Sequence, residues 1–384
     1  MKIISYKRFA EISLIIGWIA FAIYLNVIFF PVESLDARIF LEPWYDFIVA
    51  HGQFHAFSQN FSNYSPLYLY LLSLISLLSW IPKLAAIKLI SLAFDFSAAT
   101  AVHQIVKLKR NDSKKAWLAF FIVLFTPTVF IESGMWGQCD IIFTSFLLWM
   151  IYAFLQDRPV ATVLFFSIAF AFKLQAGFIA PLILLLFLTR KLRPYWILLP
   201  PLIYFLSVVP AWIAGRPLWD LLTIYFTQTT AYRSLSLSAP NIYLYFSHTK
   251  YFSIFSVAIG LGIACIFSVV YLFIRWKKSP FLPKAFILFD ATLLTMFFPF
   301  VLPMMHDRYF FTAALLLVVS VFFDKKFLIP AILVQVSSVI SYFDSFHILF
   351  LAALIMNLAV VIWLLFYYQK SVRISRMEPV DKQI

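Results

Sequence analysis

The sequence predicts an all-α, polytopic membrane protein, and three observations support this fold class. First, 63% of the 384 residues are hydrophobic and 12% are charged, whereas a soluble domain is nearer half apolar and a quarter charged. Second, apolar runs of helix-spanning length recur along the whole chain, as in proteins whose helices cross a bilayer. Third, these runs lack the apolar–polar alternation of half-buried strands.

The elements are expected in the order of these runs. They fall at 10–30, 66–81, 84–106, 116–131, 139–155, 159–173, 174–189, 195–214, 251–274, 285–303, 309–323, 327–342 and 346–367. The first run is too long for the apolar region of a signal peptide and has no small-residue cleavage site, so we interpret it as a retained helix. Pro66 and Pro82 bound the short second run, which we expect to dip into the outer leaflet or lie along it.

The basic residues predict how the chain crosses the membrane. Seven clusters contain 22 of the 30 Lys and Arg residues: Lys2–Arg8, Lys107–Lys115, Arg158, Arg190–Arg193, Arg275–Lys284, Lys325–Lys326 and Lys370–Lys382. Placing all seven in the cytoplasm satisfies the positive-inside rule. Residues 1–384 then form a single integral-membrane unit with about 12 full crossings and both termini inside. Its main outer loops are 31–64 and 215–250.

Charge and cysteine content exclude other classes of protein. The net charge of +13 would suggest nucleic-acid binding in a soluble protein, but here cytoplasmic anchoring to anionic lipids explains it, and no nucleic-acid partner is expected. Cys139 and Cys265 lie far apart in or beside apolar runs, so they indicate neither a disulfide framework nor a metal site. We expect no metal and no cofactor.

Four segments concentrate polar groups on the expected outer face. The first loop contains Asp36 and Asp46 and ends in NYSPLY (63–68). The other three segments are ESGMWGQCD (132–140), FKLQA (172–176) and MMHDRYF (304–310). Ionisable groups this close to hydrocarbon usually face a cavity. The segment 215–250 is long and rich in Ser and Thr, and we interpret it as an acceptor-side or lid segment.

Acids and cations together predict a transfer reaction at a lipid phosphate. A carboxylate can take the proton of an acceptor hydroxyl, and cations can hold a phosphate and stabilise it as it leaves. This is the chemistry of moving a sugar from a polyprenyl phosphate. The soluble loops contain no DxD motif, which agrees with a lipid-linked donor.

These motifs, in this order, resemble those of the GT-C membrane glycosyltransferases. LDARIFLEPWYDFIVAHG, NYSPLYLYLL, MWGQCD and FKLQA are similar to the motif series of bacterial mannosyltransferases related to the second mannosyltransferase of GPI-anchor synthesis. HDRYFF also resembles a turn of the dolichyl-phosphate-glucose-dependent glucosyltransferases. Ser65 departs from the family's Tyr-Pro-Pro-Leu pattern. The resemblance covers most of the chain from Asp36 to Phe311.

The resemblance implies a GT-C fold and a role for each matched residue. Asp36 is expected to be the general base, and Lys173, His306 and Arg308 to hold the donor phosphate. Supporting positions are Asp46, Gln138, Asp140, Gln175, Asp307 and Tyr64.

Each of these residues also has a structural interpretation. Asp36 would then cap a helix or lie on the surface, Lys173 would extend to lipid headgroups, and Asp307 would only pair with Arg308. Trp44 and Tyr45 are interpreted as belt residues at the membrane interface or as a platform for a sugar. We expect short helices at the interface within 31–64, broken by Pro43.

The function expected from this resemblance is transfer of a hexose from a polyprenyl-phosphate donor to a lipid, glycan or protein acceptor. Mannose is expected first and glucose next. The site would face the periplasm or the exterior, from the cytoplasmic membrane of a bacterium. The alternative is a lipid-linked sugar flippase or transporter, for which Asp95 and Asp290 inside apolar runs would be the relevant residues. A purely structural scaffold would not need Lys173, His306 and Arg308 on one face.

Overall fold

The computed structural model describes residues 6–230, 234–246, 254–278, 284 and 286–374. It is 82% helical. The strands in these ranges are β1 (Ser236–Leu237) and β2 (Met305–His306), which pair in parallel. The all-α prediction is thereby confirmed. Parts of the 215–250 segment and of the terminal basic clusters lie outside the described residues.

Most helices follow the predicted apolar runs in order along the chain. The helices are α1 (Tyr6–Ile28), α2 (Glu42–His51), α3 (Pro66–Ser76), α4 (Lys83–Arg110), α5 (Ser113–Phe125), α6 (Pro127–Val129), α7 (Asp140–Leu155), α8 (Pro159–Phe172), α9 (Ala180–Leu188), α10 (Leu199–Ala214), α11 (Leu218–Leu222), α12 (Ile224–Thr230), α13 (Ile254–Lys278), α14 (Phe286–Val301), α15 (Phe311–Val321), α16 (Leu328–Tyr342) and α17 (Phe350–Ile374). Of these, α2, α11 and α12 lie in the two predicted outer loops. Short 3-10 or π-helical turns join several of the helices.

Six helices in the described ranges are long and apolar enough to cross a membrane. They are Arg8–Ile28, Lys83–Arg110, Pro194–Ala214, Ile254–Lys278, Lys325–Tyr342 and Phe350–Gln369. The pair Ser113–Phe125 and Pro127–Met135, bent by 44°, makes up to seven. Helices α7, α8, α14 and α15 have 11 to 16 residues, fewer than the roughly 20 of a perpendicular crossing. The count of about 12 crossings therefore stays a prediction.

The burial pattern separates inner from outer helices. In α14 every residue is buried except Phe289. By contrast, only 11% of the apolar stretch of α1 and 17% of that of α13 are buried inside the protein. Side chains such as Leu14 in α1 and Ile266 in α13 therefore point outward. An apolar surface this extensive is unfavourable in water and typical of helices that face lipid.

The first predicted outer loop is largely helical. A π-helical turn at Ala37–Leu41 runs directly into α2, so the expectation that Pro43 breaks the helix is wrong. Pro43 lies in the first turn of α2, next to a turn that is already widened by one residue. Its missing N–H is therefore tolerated there.

The short run at 66–81 forms α3, which has 11 residues. At 1.5 Å per residue this helix is only about 16 Å long, roughly half the thickness of the hydrocarbon core. Its length agrees with a segment that enters the bilayer without crossing it. The helix begins at Pro66, whose missing N–H costs nothing in a first turn.

The acids inside apolar runs have internal partners. Asp290 pairs with Arg275 and accepts a hydrogen bond from the hydroxyl of Tyr271 at 2.8 Å. Arg275 was expected to belong to a cytoplasmic anchoring cluster, but it is 2% exposed and its guanidinium lies 4.1 Å from the Tyr368 ring centroid. Asp95 accepts a hydrogen bond of 2.7 Å from Ser133. These groups therefore hold helices together.

Candidate active site

Arg308 lies at the centre of a cluster that joins distant parts of the chain. It belongs to the 3-10 turn Asp307–Phe310 between α14 and α15. Its Nη1 donates to Oδ2 of Asp36 at 2.8 Å, and its Nε lies 3.6 Å from Oδ2 of Asp140. The first of these contacts joins residues 272 positions apart in sequence. Asp36 makes no helix-capping hydrogen bond with its side chain, which rules out the capping interpretation.

Lys173 enters the same cluster from the end of α8. Its backbone is extended there (φ −153°, ψ 134°), because α8 stops at Phe172 and the next turn begins at Leu174. The Lys173 Nζ donates to Oδ1 of Asp140 at 2.8 Å, and both side chains are nearly buried. This pairing contradicts the interpretation of Lys173 as a side chain reaching for lipid headgroups.

The charge of Lys173 is stabilised by its surroundings. Burial works against the ammonium, but the neighbouring Asp140 carboxylate holds the pKa of Lys173 well above its usual value. The Tyr64 ring centroid lies 5.7 Å from the Nζ, a distance at which an aromatic face attracts a cation. Lys173 is therefore a permanent cation at this site.

Gln138 connects Asp36 to the loop before α7. Its Nε2 donates to Oδ2 of Asp36 at 2.8 Å, and its backbone carbonyl accepts from Ser91 at 2.7 Å. The chain turns here at Gly137, whose φ is +69°. A Cβ at that position would meet Lys88 Cγ at 3.1 Å. Glycine thus allows the tight approach that brings Gln138 to Asp36.

Ser34 ties the first loop to the loop that precedes α7. Its hydroxyl donates to the carbonyl of Trp136 at 3.1 Å and accepts from the backbone N–H of Ala37 at 3.1 Å. Asp36 lies between Ser34 and Ala37 in the sequence, in the turn that these two hydrogen bonds hold. Lys88 supports the same region by donating to the carbonyls of Phe29, Phe30 and Val32. The position of the Asp36 carboxylate therefore depends on contacts of its neighbours.

A cavity of about 130 Å³ opens beside the cluster; we call it the donor cavity, after the lipid-linked donor that the sequence motifs lead us to expect. Five of the predicted site residues line it: Tyr64, Lys173, Gln175, His306 and Arg308. Asn63, Gln228 and Tyr309 also contribute. All three residues that were expected to bind phosphate therefore share one cavity.

His306 and Asp307 differ from Lys173 in their charge. Burial and the neighbouring cations Arg308 and Lys173 hold the pKa of His306 well below its usual value, so its ring is neutral at pH 7. It can offer an N–H to an anion but not a positive charge. Burial raises the pKa of Asp307 to about 6, despite the opposing effect of Arg308. Asp307 Oδ1 accepts from the Arg308 backbone N–H at 2.8 Å, while the Arg308 guanidinium pairs elsewhere.

One of the predicted supporting residues, Asp46, lies outside this cluster. Asp46 pairs with Lys83 at 2.8 Å, as does Glu42 at 2.9 Å, so Asp46 is part of a separate surface cluster. Gln175 lines the donor cavity, and its Oε1 is buried without a hydrogen bond to any described residue. Trp44 is 6% exposed, which contradicts the interface-belt interpretation.

Glu132 was not assigned a role from the sequence. It lies in the π-helical turn Phe130–Met135 and is 0% exposed. Neither of its carboxylate oxygens accepts a hydrogen bond from a described residue. Its signal in the sequence was an acid directly after an apolar run, at the start of ESGMWGQCD.

Within the ranges that the structure describes, no group of three or more His, Cys, Asp or Glu side chains is placed to hold a metal ion. No family model matches this chain, and no curated protein sequence matches it either.

Proposed function

We propose that the protein is a GT-C-type glycosyltransferase that uses a polyprenyl-phosphate sugar as donor. The sugar is a hexose, mannose first and glucose next, and the acceptor is a lipid, glycan or protein. One observation supports this most strongly: Arg308 contacts both Asp36 and Asp140 and lines the same cavity as Lys173. A carboxylate beside two permanent cations matches the base and the phosphate site that the reaction needs.

The proposed reaction exchanges one bond at the anomeric carbon of the sugar for another. The Asp36 carboxylate takes the proton of the acceptor hydroxyl, and the acceptor oxygen forms a bond to the anomeric carbon of the sugar. The bond between that carbon and the phosphate oxygen breaks, and its electron pair stays on the phosphate. Lys173 and Arg308 stabilise this charge, and His306 adds a neutral N–H donor.

Asp36 has the geometry that a base requires. The hydrogen bonds from Gln138 and Arg308 both end on Oδ2, and 30% of the side chain remains exposed. Its Oδ1 can therefore face an acceptor hydroxyl while Oδ2 is held. Two donors on one oxygen fix the carboxylate's orientation, which a positioned base needs.

We place this site on the periplasmic or extracellular side of a bacterial cytoplasmic membrane, in a chain of about 12 crossings. The support is the distribution of basic clusters together with the resemblance of the motifs. The flippase alternative is less well supported, because Asp290 is engaged by Arg275 and Asp95 by Ser133. Coupling ions would need free acidic ligands near the midplane.

The test is to incubate the purified protein with polyprenyl-phosphate mannose, glucose or arabinose and to measure release of polyprenyl phosphate. Asp36→Asn should lower transfer by about 100- to 10,000-fold while donor binding persists. The matched control is Glu33→Gln in the same loop, whose carboxylate pairs with the exposed Arg38. Equal transfer by Asp36→Asn and wild type, or no release from any donor, would reject the proposal.

A further inference from the structure

A second, larger cavity adjoins the donor cavity. Its volume is about 590 Å³, which is in the range of small-molecule sites; we call it the aromatic–arginine cavity. Asn63 lines both cavities. The Trp44 ring of the second cavity lies 4.9 Å from the Tyr64 ring of the first, between centroids. The two cavities are therefore neighbours that share Asn63 as a common wall residue.

Aromatic rings form one side of this cavity. Phe40, Trp44 and Phe61 line it, and the rings of Phe40 and Trp44 are 5.9 Å apart. Flat apolar faces of this kind pack against the C–H face of a sugar ring. The remaining lining is mainly hydroxyl and amide groups, among them Ser62, Thr223 and Asn60. A polyhydroxylated ligand would find both kinds of contact.

Arg216 is the unusual group in this lining. It is 3% exposed, and its Nη2 donates to Oδ1 of Asn60 at 2.6 Å. Its Nε is buried and has no hydrogen-bond partner among the described residues. Asp220 also lines the cavity and attracts the Arg216 guanidinium at longer range, but among the described residues the two side chains form no direct ion pair. Arg216 is therefore a nearly buried guanidinium with an unused donor.

Such a group favours an anionic ligand. A buried charge is costly unless it is paired, and the planar guanidinium fork matches the oxygens of a carboxylate or a phosphate. The hydrogen-bond partner of Arg216, Asn60, is a neutral amide and accepts from only one of the five N–H groups of the guanidinium.

We propose that the aromatic–arginine cavity binds the acceptor of the transfer reaction, and that this acceptor is a sugar with an anionic group that pairs with Arg216. This inference rests on the proposed glycosyltransferase function. The geometry fits a path for the hydroxyl, because Phe40 and Trp44 follow Asp36 one and two turns along the same helical segment. A sugar on these rings would lie one to two helical turns from Asp36, with the donor cavity on the other side of Asn63.

Direct binding to the purified full chain tests this proposal. The probes are methyl mannoside as a neutral sugar, the methyl glycoside of glucuronic acid as a carboxylate, and mannose 6-phosphate as a phosphate. At least one anionic sugar should bind about ten- to a hundredfold more tightly than the neutral one, the range expected for one charged hydrogen-bonded pair. The tighter of the two anionic probes identifies the group.

The variants separate charge from stacking. Arg216→Gln should abolish the preference for the anionic sugar, and Arg216→Lys should retain only part of it. Trp44→Leu should weaken all three probes. The matched controls are Arg38→Gln and Trp80→Leu, since both side chains are exposed. A thermal melt of each variant confirms folding.

Equal binding of the neutral and anionic sugars, or an unchanged preference in Arg216→Gln, overturns the inference. Donor assays keep this result apart from the proposed function. If the wild type binds anionic sugars but releases no polyprenyl phosphate, the cavity is a glycan site and the transferase proposal fails. If release occurs and Arg216→Gln binds like the wild type, only the acceptor assignment fails.

Discussion

At the scale of single residues, the site depends on how charges are paired. Lys173 and Asp140 form a nearly buried pair, and Arg308 is shared between Asp140 and Asp36. Burying two charges costs several kcal/mol per ion, which only close pairing offsets. The arrangement therefore serves placement of charge more than stability. A phosphate in the donor cavity would meet Lys173 and Arg308 already oriented, and this preorganisation favours a transition state with a leaving anion.

Asp307 should make donor binding depend on pH. Its pKa is raised to about 6 by burial, so it loses its negative charge as the pH falls through that value. Burial holds the pKa of His306 well below its usual value, so its imidazole is neutral at the upper end of this interval. The donor's phosphodiester keeps one negative charge throughout. We therefore expect donor affinity to rise several-fold, to about tenfold, as the pH falls from about 7.5 to about 5.

The measurement is donor binding as a function of pH for the wild type and for Asp307→Asn. The variant should bind at all pH values as tightly as the wild type does at low pH, because its amide carries no charge. Asp324→Asn is a suitable control, since that carboxylate caps a turn at Lys325–Phe327, away from the site. A slope that persists in Asp307→Asn assigns the titration to another group.

At the scale of elements, short interruptions of helices place the functional side chains. Arg308 follows β2, which pairs with β1, and Lys173 stands in the extended break after α8. Gln138 follows a π-helical turn at Phe130–Met135. In uninterrupted helices, the side chains would be distributed around each helix axis and could not converge on one place. The breaks instead let three loops direct their side chains at two carboxylates, Asp36 and Asp140, which Arg308 joins.

Ser34 offers a test of this arrangement. Ser34→Ala removes the hydrogen bond that ties the Asp36 turn to the Trp136 carbonyl and the one that Ser34 accepts from the Ala37 N–H. We expect turnover to fall by up to about a hundredfold, the effect of a misplaced catalytic group, while stability changes by about 1 kcal/mol or less. Ser58→Ala is the control, because its exposed hydroxyl bonds only locally to His55. Turnover like that of the wild type would show that the Ser34 hydrogen bonds do not set the position of Asp36.

At the scale of the whole molecule, the distribution of charge sets the expected orientation. Outward apolar faces such as those of α1 and α13 require a lipid environment, and the basic clusters select the side on which each loop lies. The orientation decides which compartment the site faces. The proposed use of a lipid-linked donor on the outer side of the membrane therefore depends on this expected orientation.

Cysteine labelling of intact cells tests the orientation. In a Cys265→Ala background, where Cys139 is buried, a membrane-impermeant maleimide should modify Ser58→Cys and spare Asp112→Cys. Ser58 ends the 3-10 turn His55–Ser58, and Asp112 is the N-cap residue of α5. Permeabilised cells provide the control, since both positions should then react. Labelling of position 112 in intact cells would reverse the orientation and place the site in the cytoplasm.

Sequence alone was enough for the class of fold and for the order of the helices. Apolar runs predict helices because hydrophobicity and periodicity are local properties, so α4, α10 and α17 match runs that can be read directly. The motifs also indicated the groups that converge, since Asp36, Lys173, Arg308 and His306 all stood out as ionisable residues at the ends of apolar runs.

Pairing was decided only by the tertiary structure. Nothing local distinguishes Asp46, which contacts Lys83, from Asp36, which contacts a residue 272 positions away. The buried Arg275–Asp290 pair, the neutral His306 ring, the unpartnered Glu132 and the aromatic–arginine cavity likewise depend on which helices pack together. Burial and long-range contacts determine whether a given side chain is an anchor, a ligand or a base, and these arise only when distant segments fold against one another.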